Sequence, residues 1–214
     1  SLELTHSLMN KNSSYLQKNL TETDACRVIV QNCIMDFGGV DILISNAGYA
    51  FESSILSLDI SKLRESFDLN FYAHFNMSKE VSKTLINQGL GGKILFNVSK
   101  QAVNPGKNFG AYGLPKATLL FLLKQLALEL GEHKISVNGV NADKIRSGLL
   151  TPEMIQNRSK SRGLDESKYM KGNLLSEEVK AIHVAEGFLA LAKSERTSAH
   201  ILTIDGGNIE ASLR

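Results

Sequence analysis

Four short apolar runs, set between longer stretches of helical period, most constrain what this chain can fold into. The runs are residues 41–45 (DILIS), 93–99 (KILFNVS), 134–141 (KISVNGVN) and 200–205 (HILTID). Each is too short for a helix and rich in Ile, Leu and Val, which reads as buried strand. Helical spacing covers 23–37, 62–88, 110–131 and 176–193. Strands alternating with long helices predict an α/β fold, a doubly wound parallel sheet of Rossmann type with helices on both faces. Ser176, followed by Glu177 and Glu178, predicts a helix start: the hydroxyl suits the free N–H groups and the acids suit the dipole. Residues 143–175 mix charges without a period and predict a loop or lid with short helices. Residues 2–9 read as the end of a helix, 15–20 as a strand, and Thr21 as a helix N-cap.

Length and charge narrow the class. The 214 residues carry no repeat, low-complexity tract or linker, so 1–214 is expected to form one domain. Lys and Arg number 24 against 22 Asp and Glu, a net charge of +2 without long basic runs, which gives no electrostatic footprint for nucleic acid. No apolar stretch approaches the length of a membrane span, and no charged-then-apolar signal segment opens the chain. Cys26 and Cys33 lie on one predicted helix, roughly 10 Å apart at 1.5 Å rise per residue, which is too far for a disulfide. Two thiols fit a reducing cytoplasm. The five histidines (6, 74, 133, 183 and 200) show no metal-ligand spacing and read as solvated or packed side chains.

The chemistry gathers around Tyr112-Gly-Leu-Pro-Lys116. At helical spacing the phenol and the ammonium share a face. A cation beside a tyrosine favours the phenolate and lowers its pKa from about 10. Such a tyrosine can move a proton to or from a substrate oxygen. Alone, the pair is common on ordinary helices. Here Ser99 ends a strand upstream, Ser45-Asn46-Ala47-Gly48 follows an earlier strand, and Asn70 lies mid-helix in FDLN.

That order resembles the short-chain dehydrogenase/reductase family. VNGVN at 137–141, TSAHILTIDGG at 197–207 and NLT at 19–21 match it too, so the likeness runs from about Tyr15 to the chain's end. The resemblance implies an NAD- or NADP-dependent oxidoreductase acting on a hydroxyl or carbonyl of a small hydroxyaldehyde or sugar-derived substrate. It makes Tyr112 the general acid/base and Lys116 the residue that lowers its pKa and bonds the nicotinamide ribose. Ser99 orients the substrate carbonyl, and Asn70 holds a water in the proton relay. Asn46, Ala47 and Gly48 pack beside the cofactor, and Asn19 and Leu20 fall where the family approaches the adenine. The apolar helix stretch 119–123 implies a partner subunit, a homo-oligomer of two or four chains. Residues 97–117, 141–151 and 205–211 further resemble the dehydrogenase half of bifunctional aldolase/short-chain dehydrogenase proteins.

The sequence departs from that family at its start. The family opens with a strand, T-G-x-x-x-G-I-G and a helix, a loop whose N–H groups meet the pyrophosphate. The only glycines before Gly48 are Gly38 and Gly39. The alignment predicts that two strands and a helix are missing, that a normally buried sheet edge is exposed, and that cofactor grip is weakened. The alternative is a catalytically inactive truncated remnant that keeps the fold and a subunit interface. Two smaller departures are Ala142-Asp143, where the family has Pro-Gly, and Pro115, which is tolerable if the helix has only just begun.

Overall fold

Four parallel strands form one sheet in chain order in the computed structural model, which describes residues 7, 9 and 12–208: β1 (Ile42–Ser45), β2 (Gly92–Asn97), β3 (Ile135–Ala142) and β4 (Ile201–Ile204). Leu43 pairs with Ile94, Ile94 with Val137, and Val140 with Leu202. The helices are α1 (Ala25–Phe37), α2 (Ile60–Phe67), α3 (Ala73–Gln88), α4 (Gly110–Leu130), α5 (Pro152–Ser161), α6 (Glu166–Met170) and α7 (Ala181–Lys193). Strand pairing in parallel needs such crossovers.

Alternation along β2 divides the core. Ile94 and Phe96 face α1, α3 and α4, meeting Val30, Val81, Leu85, Leu119 and Leu123. Leu95 faces the other way and joins Val140 to Val184, Phe188 and Leu191 of α7. Helices thus cover both faces, as the α/β reading requires. Each fully buried Leu or Ile contributes about 1.5–3 kcal/mol. A third cluster, Leu150, Ile155, Tyr169 and Met170, folds α5 and α6 into a lid within the predicted loop region. Gly38 ends α1 in a left-handed conformation (φ 84°), and its N–H bonds Ile34 O, a geometry that costs glycine nothing.

Several expectations change. The predicted strand at 15–20 is irregular, and Thr21 caps nothing: its N–H and hydroxyl both donate to Asn19 Oδ1, and α1 begins at Ala25. The predicted helix end at 2–9 lies almost wholly outside the described residues. Ser176 does not start α7. It sits in a turn at φ 54°, its N–H bonded to Asn173 O, while Asn173 Nδ2 holds Glu177 O. These bonds occupy the backbone that a cap would need, and the helix waits until Ala181. The single helix expected at 62–88 is split by a π-helical segment, Asp68–Tyr72, that carries Asn70. Such bulges mark functional sites.

β1 is an edge among the described residues. Ile44 is 50% exposed and Ile42 is exposed as well. An apolar edge with unpaired backbone groups is costly to leave open to water.

Candidate active site

The carboxyl ends of β1, β2 and β3 open into a cleft of about 790 Å³, where ligands bind in open α/β sheets. Asn46, Gly48, Ser99 and Tyr112 line it, together with Phe109, Asp143, Met154 and Arg158. Residues far apart in sequence meet here because each strand releases its chain at the same edge.

Ser99 follows the end of β2 and heads a 3₁₀ turn, Lys100–Ala102, its Oγ accepting from Gln101 N at 3.2 Å. Tyr112 lies in the first turn of α4, buried, with Phe109 edge-on at 6.3 Å. Lys116 stands one turn on, 2% exposed, its Nζ 5.8 Å from the Tyr112 ring centroid and donating to Asn97 O at 2.9 Å. Burial pulls the Lys116 ammonium down to about 7, because a charge in an apolar surround loses its hydration. Burial also raises the Tyr112 phenol, and the Ser99 hydroxyl beside it works the other way. The lowered tyrosine pKa expected from the sequence is therefore not found in this state. Desolvation outweighs the hydrogen bond from Ser99.

Asn70 is fully buried. Its Nδ2 donates to Tyr49 O and to Ser66 Oγ, both at 3.0 Å, and its Oδ1 accepts from Tyr49 N at 3.2 Å. It thus pins the loop after β1 onto the π segment. Gly48 shows how tight that loop is: a Cβ there would fall 2.9 Å from Asn70 Oδ1 and 3.9 Å from Lys116 Nζ. Asn46 ties β1 to β2, its Oδ1 accepting from Asn97 Nδ2 at 2.6 Å. Ala47 lies between them, half-buried.

Two residues, Ser66 and His74, take structural roles that the sequence did not show. Pro115 sits inside α4, not at its first position, and cannot bond Ala111 O. The buried Ser66 hydroxyl takes that carbonyl at 2.7 Å while accepting from Asn70. One hydroxyl thereby joins the helix break to Asn70, and the S-x-x-x-N spacing was its only trace. His74 lies buried one turn past Asn70, Nδ1 2.6 Å from Ser45 Oγ. Burial, then the nearby Lys116 charge, pushes His74 down to about 3, against a backbone bond at Ala47.

Asn19 and Leu20 do not join the cleft. Asn19 is exposed and shapes the turn before α1, and Leu20 packs on the core behind it. Lys100 and Asp143 form a mostly buried ion pair at 2.9 Å between the Ser99 turn and the end of β3. Among the described residues no group of three or more His, Cys, Asp or Glu side chains converges as metal ligands, and no helix is long and apolar enough to cross a membrane.

Residues 3–208 match the family described as enoyl-(acyl carrier protein) reductase. The chain is 28% identical over 200 residues to the uncharacterized oxidoreductase YuxG of Bacillus subtilis (strain 168), covering 90% of this chain and 29% of that one. It is 31% identical over 171 residues to D-erythrulose reductase of Gallus gallus, covering 79% of this chain and 68% of that one. The carveol dehydrogenase of Mycobacterium avium, solved in complex with NAD, superposes with a TM-score of 0.83 at 20% identity, covering 90% of this chain and 73% of that one. That last likeness speaks for the fold alone. The chain spans less than a third of the first relative's length and about two thirds of the second's.

Proposed function

The chain belongs to the short-chain dehydrogenase/reductase family, and we propose that it is an NAD(P)-dependent oxidoreductase interconverting a hydroxyl and a carbonyl on a small hydroxyaldehyde or sugar-derived substrate. The observation that carries this reading is the gathering of Ser99 and Tyr112 on one cleft, with Lys116 and Asn70 beside its Gly48, from three separate segments.

The residues present fit the nicotinamide-ribose end of such a cofactor. The missing Cβ at Gly48 leaves room beside Asn70 and Lys116, and Lys116 carries further donors besides the one given to Asn97 O. Asn46, Ala47, Gly48, Tyr112 and Lys116 would hold that end. The bound cofactor supplies hydride chemistry. In the reductive direction Tyr112 gives its phenolic proton to the carbonyl oxygen, and in the oxidative direction it takes one back. Ser99 orients that oxygen beside Tyr112. Lys116 stabilises the phenolate that forms, and Asn70 holds the loop after β1 in place beside it.

Incubating the chain with NAD or NADP and a panel of short hydroxyaldehydes tests the reading through the absorbance of the reduced nicotinamide. Turnover that disappears in Tyr112→Phe is expected. No turnover with either cofactor would sink it. The exposed edge of β1 favours a second reading, a non-catalytic chain that keeps the fold. Calorimetric titration separates them, since micromolar NAD(H) or NADP(H) binding contradicts the second. Membership of the aldolase-linked group rests on the sequence likeness at residues 97–117, 141–151 and 205–211. Self-association is supported by α4, which leaves Leu114, Phe121 (69% exposed) and Leu128 (79%) facing outward. Sedimentation should then report a dimer or tetramer. The two free thiols accord with a cytoplasmic protein.

A further inference from the structure

The cleft has two unlike ends. One is bounded by Ile44, Asn46 and Gly48. The other, past Tyr112, is bounded by Phe109, Leu149, Leu150, Met154 and Arg158. Three of the lining residues are charged. Asp143 is held by Lys100, and Lys144 Nζ donates to Tyr169 O and Gly172 O, both at 3.0 Å. The third is Arg158.

Arg158 reaches in from α5 with its side chain 15% exposed. Its guanidinium carbon lies 3.7 Å from the Phe109 ring centroid, a close cation–π contact. Its Nε donates to Glu52 Oε1 at 2.7 Å, and Nη1 makes a long bond to Tyr169 Oη at 3.4 Å. Among the described residues no other hydrogen bond engages the remaining guanidinium N–H groups or Glu52 Oε2. Phe109 in turn touches Tyr112, so the guanidinium carbon is at most 10.0 Å from the Tyr112 ring centroid. A short carbon chain bridges that span.

We propose that Arg158, paired with Glu52 and laid on Phe109, is the specificity-determining group of this cleft and selects a neutral, hydroxyl-rich tail on the substrate. The inference rests on the reading of the cleft as a hydroxyl/carbonyl site. Arg158 offers donors, Glu52 offers an acceptor, and their charges cancel. A hydroxyl can use both at once. A carboxylate gains the donors but also meets the Glu52 charge. A purely apolar tail takes water from the spare guanidinium N–H groups and Glu52 Oε2 and gives them no partner in return, the situation that polar sites reject most strongly.

NMR titration of the full chain with three four-carbon ligands tests this: erythrulose (a trihydroxy ketone), butanone, and threonate (a trihydroxy acid anion). Erythrulose should bind roughly 10- to 100-fold more tightly than butanone, the range for hydrogen bonds to charged groups. Arg158→Met should erase that difference. Glu52→Gln leaves an uncompensated guanidinium and should move the preference towards threonate. This second variant carries the test if Arg158→Met fails to fold by circular dichroism. Equal binding of erythrulose and butanone, tighter binding of threonate to the unaltered chain, or a preference that survives Arg158→Met would each overturn the proposal. Turnover assays on the same ketones keep the two readings apart. Selective binding without turnover defeats the oxidoreductase reading and leaves this one standing; unselective turnover does the reverse.

Discussion

Replacing Lys116 by Met should stabilise the folded chain near neutral pH while destroying its chemistry. The ammonium is 2% exposed and held by one carbonyl, Asn97 O. Its pKa falls from 10.5 to about 7 on folding. Between those values the unfolded chain holds a proton that the folded chain has released. Stability therefore rises with pH across that window, by up to about 1.4 kcal/mol per unit. The whole gap corresponds to about 5 kcal/mol of charge burial, present in full below pH 7 and gone above pH 10.5. Met removes that cost but strands Asn97 O, at about 1–3 kcal/mol. At pH 6.5 Lys116→Met should gain about 2–4 kcal/mol over the unaltered chain. At pH 10.5 the gain should vanish or reverse. Urea unfolding of both proteins at several pH values measures the difference. A difference that stays flat over this range, or a variant already less stable at pH 6.5, would refute the reasoning.

Three further outcomes follow from the same geometry. Tyr112→Phe should lower kcat by about 10²- to 10⁴-fold, checked by steady-state kinetics. Ser66→Ala leaves Ala111 O and one Asn70 donor without a buried partner, for a loss of about 2–4 kcal/mol by denaturant titration; Ser66→Thr, which keeps the hydroxyl, should recover most of it. His74 stays neutral when folded down to about pH 3, whereas the unfolded imidazole takes a proton below its ordinary value of 6.5. Its contribution is complete above pH 6.5 and drains away towards pH 3, so acid unfolding should begin inside that window and move to lower pH in His74→Gln.

The sheet was legible because each strand is a short apolar run whose partner is another such run. Residues 41–45 and 93–99 announce themselves without tertiary information, and the structure moves their ends by no more than two residues, to 42–45 and 92–97. Elements that depend on one long-range bond were not legible. Ser176 has the chemistry of a cap, yet Asn173 captures the same backbone first. Residues 15–20 have strand composition, but a strand is made by its neighbour, and the sheet of the described residues takes in no strand from this stretch. The π segment at Asp68–Tyr72 has ordinary helical spacing. Its extra residue per turn is fixed by Asn70 bonding Tyr49, 21 positions away.

The site divides along the same line. Tyr112 and Lys116 were readable because helical geometry alone sets their relation. Their protonation was not, because it depends on how deeply the fold buries them, and burial reversed the expected direction at Tyr112. The same burial gives the pair its use. A lysine held near 7 changes charge on a small change in its surroundings, and a further charge or hydrogen bond brought to the cleft can shift it and the phenol together. The structure that holds this poise is expensive: a proline in the working helix, a carbonyl it frees, and a serine that recovers the carbonyl while holding Asn70. Ser66, Asn70 and Tyr49 bond one another across two segments, and Gly48 lets the loop pass within contact of Lys116.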